Sequence, residues 1–261
     1  MNGQPPQQRQ PQNELVAFYK EIPICTRFLF TSYLVITVLG NIGPISPYYF
    51  FFLPEYTFGH FQIWRLFTSF FFYSFNFNGA IQLYFLYRYS KEVETEKFLG
   101  ITADYVFFLL FEALTILIIG GMIKGLVLFN QSLVMAIIYI WAQLFKDAIV
   151  TFMFGLRFKG VYLPFVLLAF EALQMGGGLP WASIIGIITG HIYYYLKEIY
   201  PASGGTRFLN TPQWLYNWFP VNRAGLRTSF GVVLNPGGRA QQQSSTDGTR
   251  HSWGRGQRLG S

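Results

Sequence analysis

The chain has 261 residues but a single cysteine, Cys25, so it can close no internal disulfide. It is also short of charge. Only 12% of its residues are Asp, Glu, Lys or Arg, about half the share in an ordinary globular chain. The three histidines, His60, His191 and His251, are scattered and have no clustered partners, so neither a metal nor any other cofactor is expected. The polar start, residues 1–14, is rich in Gln and Pro and lacks a basic stretch leading into an apolar core. No cleaved signal is therefore expected, and the first apolar run is expected to target the chain. The net charge of +7 is spread along the flanks of apolar runs. It forms no aromatic-interleaved basic patch, which argues against nucleic acid as a partner.

What the chain has in excess is apolar and aromatic surface: 52% hydrophobic residues, with 29 Phe and 17 Tyr. The reading is an all-α protein of the lipid bilayer. Six apolar runs, residues 28–40, 78–89, 103–119, 132–145, 162–175 and 181–196, predict six transmembrane helices. Several are short against the ~20 residues that cross a typical bilayer, which calls for local thinning or snorkelling flanks unless the helices extend beyond these bounds. Residues 14–27 are amphipathic and are expected at the interface before the first span. Between the first two spans, residues 45–75 form a long aromatic loop in which Pro47 and Pro54 argue against regular helix. Residues 148–160, aromatic with Arg157 and Lys159, read as an interfacial helix. The domains expected are a disordered tail over 1–13, the transmembrane domain over 14–200 and a tail over 201–261, without packed structure after about residue 235.

Six spans place both termini on one side, and the positive-inside rule assigns it to the cytosol. All 19 Lys and Arg except Arg65 and Lys124 then face the cytosol, and the aromatic first loop is luminal. In the last span, Gly186 and Gly190 stand four apart on one helix face, a spacing that lets a neighbouring backbone approach closely. Residues 132–145, with the small Ala136 and Ala142, are the simplest partner. Trp64 and Arg65 stand in the first loop, where the guanidinium can bond loop carbonyls or lipid headgroups while Trp64 anchors at the interface. Glu112 and Glu171 interrupt apolar runs. Either they line a polar groove, with His191, or they are protonated or hydrogen-bonded structural residues. Asn130-Gln131-Ser132 is formally a glycosylation sequon, but it abuts a span too closely to be used.

The Trp64-Arg65 pair in a long first loop and the Gly186-xxx-Gly190 of the last run resemble the rhomboid superfamily. Within it, ISPYYFFFLPEYTFGHFQIWR, LYFLYRYSKEVE, FGLRFKGVYLPFVLL and GHIYYYL are similar to the derlins, rhomboid pseudoproteases of endoplasmic-reticulum-associated degradation. The resemblance implies a six-helix rhomboid-like bundle in the endoplasmic reticulum membrane. It would pass misfolded proteins to the cytosol together with a membrane ubiquitin ligase. An active rhomboid carries Gly-x-Ser-Gly at its fourth span and a histidine three residues before the Gly-xxx-Gly. Here the corresponding stretch is Asn130-Gln131-Ser132-Leu133, and the histidine position is Ser183. His191 lies well over ~10 Å deeper than Ser132 at the helical rise per residue, out of reach for a nucleophile–base pair. A protein without catalytic residues is therefore expected, and an intramembrane serine protease is the alternative. A solute transporter is disfavoured, because paired broken helices are missing.

The chain ends HSWGRGQRLGS. Trp253, Gly254, Gly256 and Leu259 fit the short element by which derlins bind the valosin-containing AAA ATPase. Glycines permit an extended backbone, and the Trp and Leu supply two apolar anchors. Whether the protein works alone, as a homo-oligomer or as half of a pore with the ligase is left open.

Overall fold

The computed structural model describes residues 14–152, 155–219, 227–228 and 231–232. The sequence elements over 1–13 and Trp253, Gly254, Gly256 and Leu259 lie outside them. The described residues fall in two units taken separately, and the second contains only the antiparallel pair Arg227–Thr228 with Gly231–Val232.

The first unit is helical. Its long elements are α1 (Glu14–Glu21), α2 (Ile24–Asn41), α5 (Phe77–Glu92), α6 (Thr102–Gly121), α7 (Asn130–Leu144), α8 (Leu163–Gln174) and α9 (Trp181–Tyr194). Short helices α3 (Pro54–Gly59), α4 (Trp64–Thr68), α10 (Tyr200–Ala202) and α11 (Gln213–Trp218) lie in the connections. Among the described residues, α2 and α6 are the two helices long and apolar enough to cross a bilayer. Neither behaves like the core helix of a water-soluble protein. Leu110, Leu114 and Ile118 of α6, four apart, are each more than half exposed, an apolar stripe that water would penalise and lipid would not. α7 is the opposite. It is buried along nearly its whole length and touches α5, α6, α8 and α9, so it is the axis of the bundle.

Helix ends run past the apolar bounds. α5 continues without a break through a π turn, Val93–Lys97, and α9 through a second, Tyr195–Ile199. The first π turn has a structural task. α2 starts after Pro23, which offers no side-chain cap. Glu94 reaches across instead, accepting from the Cys25 and Thr26 amides at 3.1 and 2.8 Å and from the Thr26 hydroxyl at 2.7 Å. A buried carboxylate at a helix N-terminus is matched both to the unpaired N–H groups and to the dipole.

Two expectations are corrected. The first loop does contain helix, because a proline is tolerated at a first helical turn where its missing N–H costs nothing. Pro47 opens the 3₁₀ turn Pro47–Phe50, and Pro54 opens α3. Residues 148–160 form no interfacial helix but a hairpin, β1 (Ile149–Thr151) paired antiparallel with β2 (Arg157–Lys159). Three consecutive β-branched residues favour a strand, and Gly155, at φ +77°, takes the left-handed position in the turn. The chain beyond residue 200 also stays packed as far as α11. Asp104 of α6 accepts from Thr211 and Tyr216 hydroxyls at 2.6 and 2.5 Å.

Candidate functional site

The chemistry concentrates where α9 crosses α7. Gly186 lies directly on the α7 backbone: a Cβ there would stand 2.3 Å from the Ser132 carbonyl oxygen and 2.8 Å from Met135 Cβ. One turn on, a Cβ at Gly190 would meet the Ala136 oxygen and Tyr139 Cβ at 3.2 Å. Glycine is required at the first position and favoured at the second. The close approach brings the start of α9 over the first turn of α7, and polar side chains meet there. Ser132 Oγ donates to the Ala182 carbonyl at 2.7 Å. Gln131 donates to Ser183 Oγ at 2.9 Å and to Glu171 of α8 at 3.0 Å. Ser183 in turn donates to the same Glu171 oxygen. Three helices are thus joined by one small network whose only ionisable carboxyl is that of Glu171.

Beside the network lies a cavity of about 60 Å³, bounded by α5, α7 and α8 and edged by Tyr73, Gln82, Gln131, Phe170, Glu171 and Gln174. It is large enough for a few waters and offers them polar partners; Gln82 Oε1 is buried without a partner among the described residues. At its margin Asn78 of α5 donates to Gln174 of α8 at 3.0 Å. Burial, then Glu171, pushes the Tyr73 phenol above its ordinary value, so it faces the cavity as a neutral hydroxyl.

The polar residues singled out in the sequence do not share one groove. Glu171 borders the cavity. Glu112 is fully buried between α6 and α9 beside Thr189. That hydroxyl donates to the Gly186 carbonyl at 3.2 Å, and neither Glu112 oxygen has a hydrogen-bond partner among the described residues. His191 shares a 2.7 Å hydrogen bond with Tyr139, two turns along α7 from Ser132. Two turns are about 10 Å of rise, so this histidine is no partner for the serine. Asn130 is buried, which closes its sequon to modification.

Trp64 and Arg65 divide their tasks. Arg65 is 1% exposed. Its Nη1 donates to the Tyr48 and Phe51 carbonyls at 2.6 and 2.7 Å, its Nε donates to Gln62 at 2.7 Å, and the rings of Tyr48, Tyr49 and Tyr56 surround it within 6 Å. A charge this buried is stabilised by fixed carbonyl dipoles and by ring faces. It ties the two ends of the first loop together. Trp64, 52% exposed, points away. The sequence does not announce Gln131 and Ser183 as network members; a Gln immediately ahead of an apolar run is the available signal.

A sequence profile described as the Der1-like family matches residues 22–213. Derlin-1 of Mus musculus and Derlin-1 of Homo sapiens are each 42% identical over 248 residues, covering 93% of this chain and 97% of theirs. Derlin-1 of Drosophila melanogaster is 36% identical over the same shares.

Proposed function

The chain belongs to the Der1-like family of membrane proteins, and on that premise we propose that it is a six-span, non-catalytic derlin of the endoplasmic reticulum that helps misfolded proteins reach the cytosol. One observation carries the non-catalytic part. Where an active rhomboid aligns serine with histidine, Ser132 donates to a main-chain carbonyl, and Ser183 stands at the histidine position, held by Glu171 and Gln131. A serine hydroxyl with no base to take its proton is an ordinary alcohol. The serine-reactive probe fluorophosphonate tests this: the expected result is no labelling of Ser132, and labelling lost in Ser132→Ala would establish the protease alternative instead.

The six-span reading, with both termini cytosolic, rests on the apolar runs and on the placement of Lys and Arg, and the continuation of α5 and α9 through π turns supports spans longer than the apolar bounds. The partners proposed with this reading are misfolded substrates, a membrane ubiquitin ligase and the valosin-containing ATPase, the last held by Trp253, Gly254, Gly256 and Leu259. Trp253→Ala should abolish co-purification of the ATPase and leave the bundle folded; co-purification that survives removes the motif from the account. Arg65→Lys keeps the charge but cannot reach two carbonyls and Gln62 together. Clearance of a misfolded reporter should slow and the loop over residues 47–68 should become open to protease; unchanged proteolysis would refute the tie.

A further inference from the structure

A second cavity, about 370 Å³, lies at the end of the bundle where α9 finishes and α6 begins, edged by Lys197, Glu198, Pro201, Arg207, Leu209 and Asn210. Its charge is lopsided. Glu198 is paired with Lys97 at 3.0 Å, leaving Lys197 and Arg207 with no carboxylate partner among the described residues. Lys197 Nζ donates to the Leu209 carbonyl at 2.6 Å, a contact that pulls the following segment over the cavity, and the Asp104 and Glu198 charges act on it from nearby without pairing with it.

The segment around the cavity is built for an interface. Asp104 holds it through Thr211 and Tyr216, and burial followed by the Asp104 charge pushes the Tyr216 phenol up to about 12, keeping it a donor. Leu215 faces inward while Phe208, Trp214 and Trp218 are exposed. Large aromatic residues at the end of apolar helices are placed at the headgroup level of a bilayer. Two cations outside any ion pair among the described residues, beside such a belt, favour an anion that is present at that depth.

We infer that this cavity holds the phosphate of an anionic phospholipid headgroup, clasped by Lys197 and Arg207 with Asn210 as a neutral donor, while Phe208, Trp214 and Trp218 enter the interface around it. The inference rests on α6 and α9 crossing the membrane, which resistance of the same preparations to alkaline extraction reads separately.

The test uses the full chain reconstituted in phosphatidylcholine with phosphatidylinositol, then released into detergent for native mass spectrometry. Wild type should retain one phosphatidylinositol per chain in preference to phosphatidylcholine. Lys197→Gln with Arg207→Gln, which keeps a donor at each site and removes the charge, should weaken that retention about thirtyfold, as expected for two cations at an anionic surface. Lys124→Gln, a cation outside the cavity, should leave it unchanged. Equal retention in the double variant, equal retention of phosphatidylcholine, or an equal loss in Lys124→Gln would overturn the assignment. Displacement of the lipid by inorganic phosphate alone would reassign the cavity to the free anion and overturn the lipid. If the double variant fails to insert, Arg207→Gln alone, at an exposed side chain, gives the same reading with a smaller loss.

Discussion

α8 and α9 both pack on α7, but they do so by different physics. α9 lies backbone against backbone, with Gly186 on the Ser132 carbonyl and Gly190 on Ala136. α8 is held to its neighbours around a 60 Å³ cavity by side chains: Glu171 to Gln131 and Ser183, and Gln174 to Asn78. Close-packed dispersion contacts cannot be loosened by degrees, because they are lost once the backbones separate. Polar side-chain bonds around a wet space can be exchanged for bonds to water or to a polypeptide at small net cost. The α7–α9 pair is therefore the fixed frame, and α8 is the wall held by bonds that are easier to exchange.

The largest effect should come from the frame. Gly186→Ala forces a methyl into a main-chain carbonyl and should cost about 3 kcal/mol, at the upper end of overpacking; Gly190→Ala, with 3.2 Å to its neighbours, should cost about 1 kcal/mol by the same scale. Thermal unfolding in detergent gives both, and equal losses would mean that the seam does not discriminate as its geometry says. Next comes the wall. Glu171→Leu removes the acceptor of the buried Ser183 hydroxyl and one of the two acceptors of the Gln131 amide, at about 2 kcal/mol, whereas Glu171→Gln, which keeps an acceptor, should lose less. Smallest in stability is Asn78→Ala, under about 0.5 kcal/mol for an exposed pair. Its effect should appear in hydrogen exchange, faster over α8 and unchanged over α7 and α9. Exchange that rises equally in all three helices would erase the distinction between frame and wall.

Much of this arrangement is legible in the sequence because it is local. Apolar runs locate the long helices, and the four-residue spacing of Gly186 and Gly190 marks the face that a neighbour approaches. What escapes is set by distant partners. Nothing near Glu94 says that it caps a helix starting some seventy positions earlier, and nothing near Arg65 says that the carbonyls of Tyr48 and Phe51 await it. The hairpin at 149–159 is a different kind of miss. Aromatic and basic residues suggested an interfacial helix, while the run Ile149-Val150-Thr151 and Gly155 carried the opposite message. Trp214 and Trp218, four apart, likewise signalled α11 in a segment read as tail. Glu112 and Glu171 look alike in sequence, each an acid in an apolar run. Only the packing separates an acid enclosed between α6 and α9 from one at a cavity edge.

The most direct measurement is clearance of a misfolded membrane reporter by a chain carrying Ser132→Ala, compared at equal protein level with Glu171→Leu. Removing a hydroxyl that only bonds the Ala182 carbonyl should leave clearance at the wild-type rate, while Glu171→Leu, which unties the α8 wall, should slow it. Clearance abolished by Ser132→Ala in a folded, correctly inserted protein would contradict the account, because it would make the hydroxyl itself the working group.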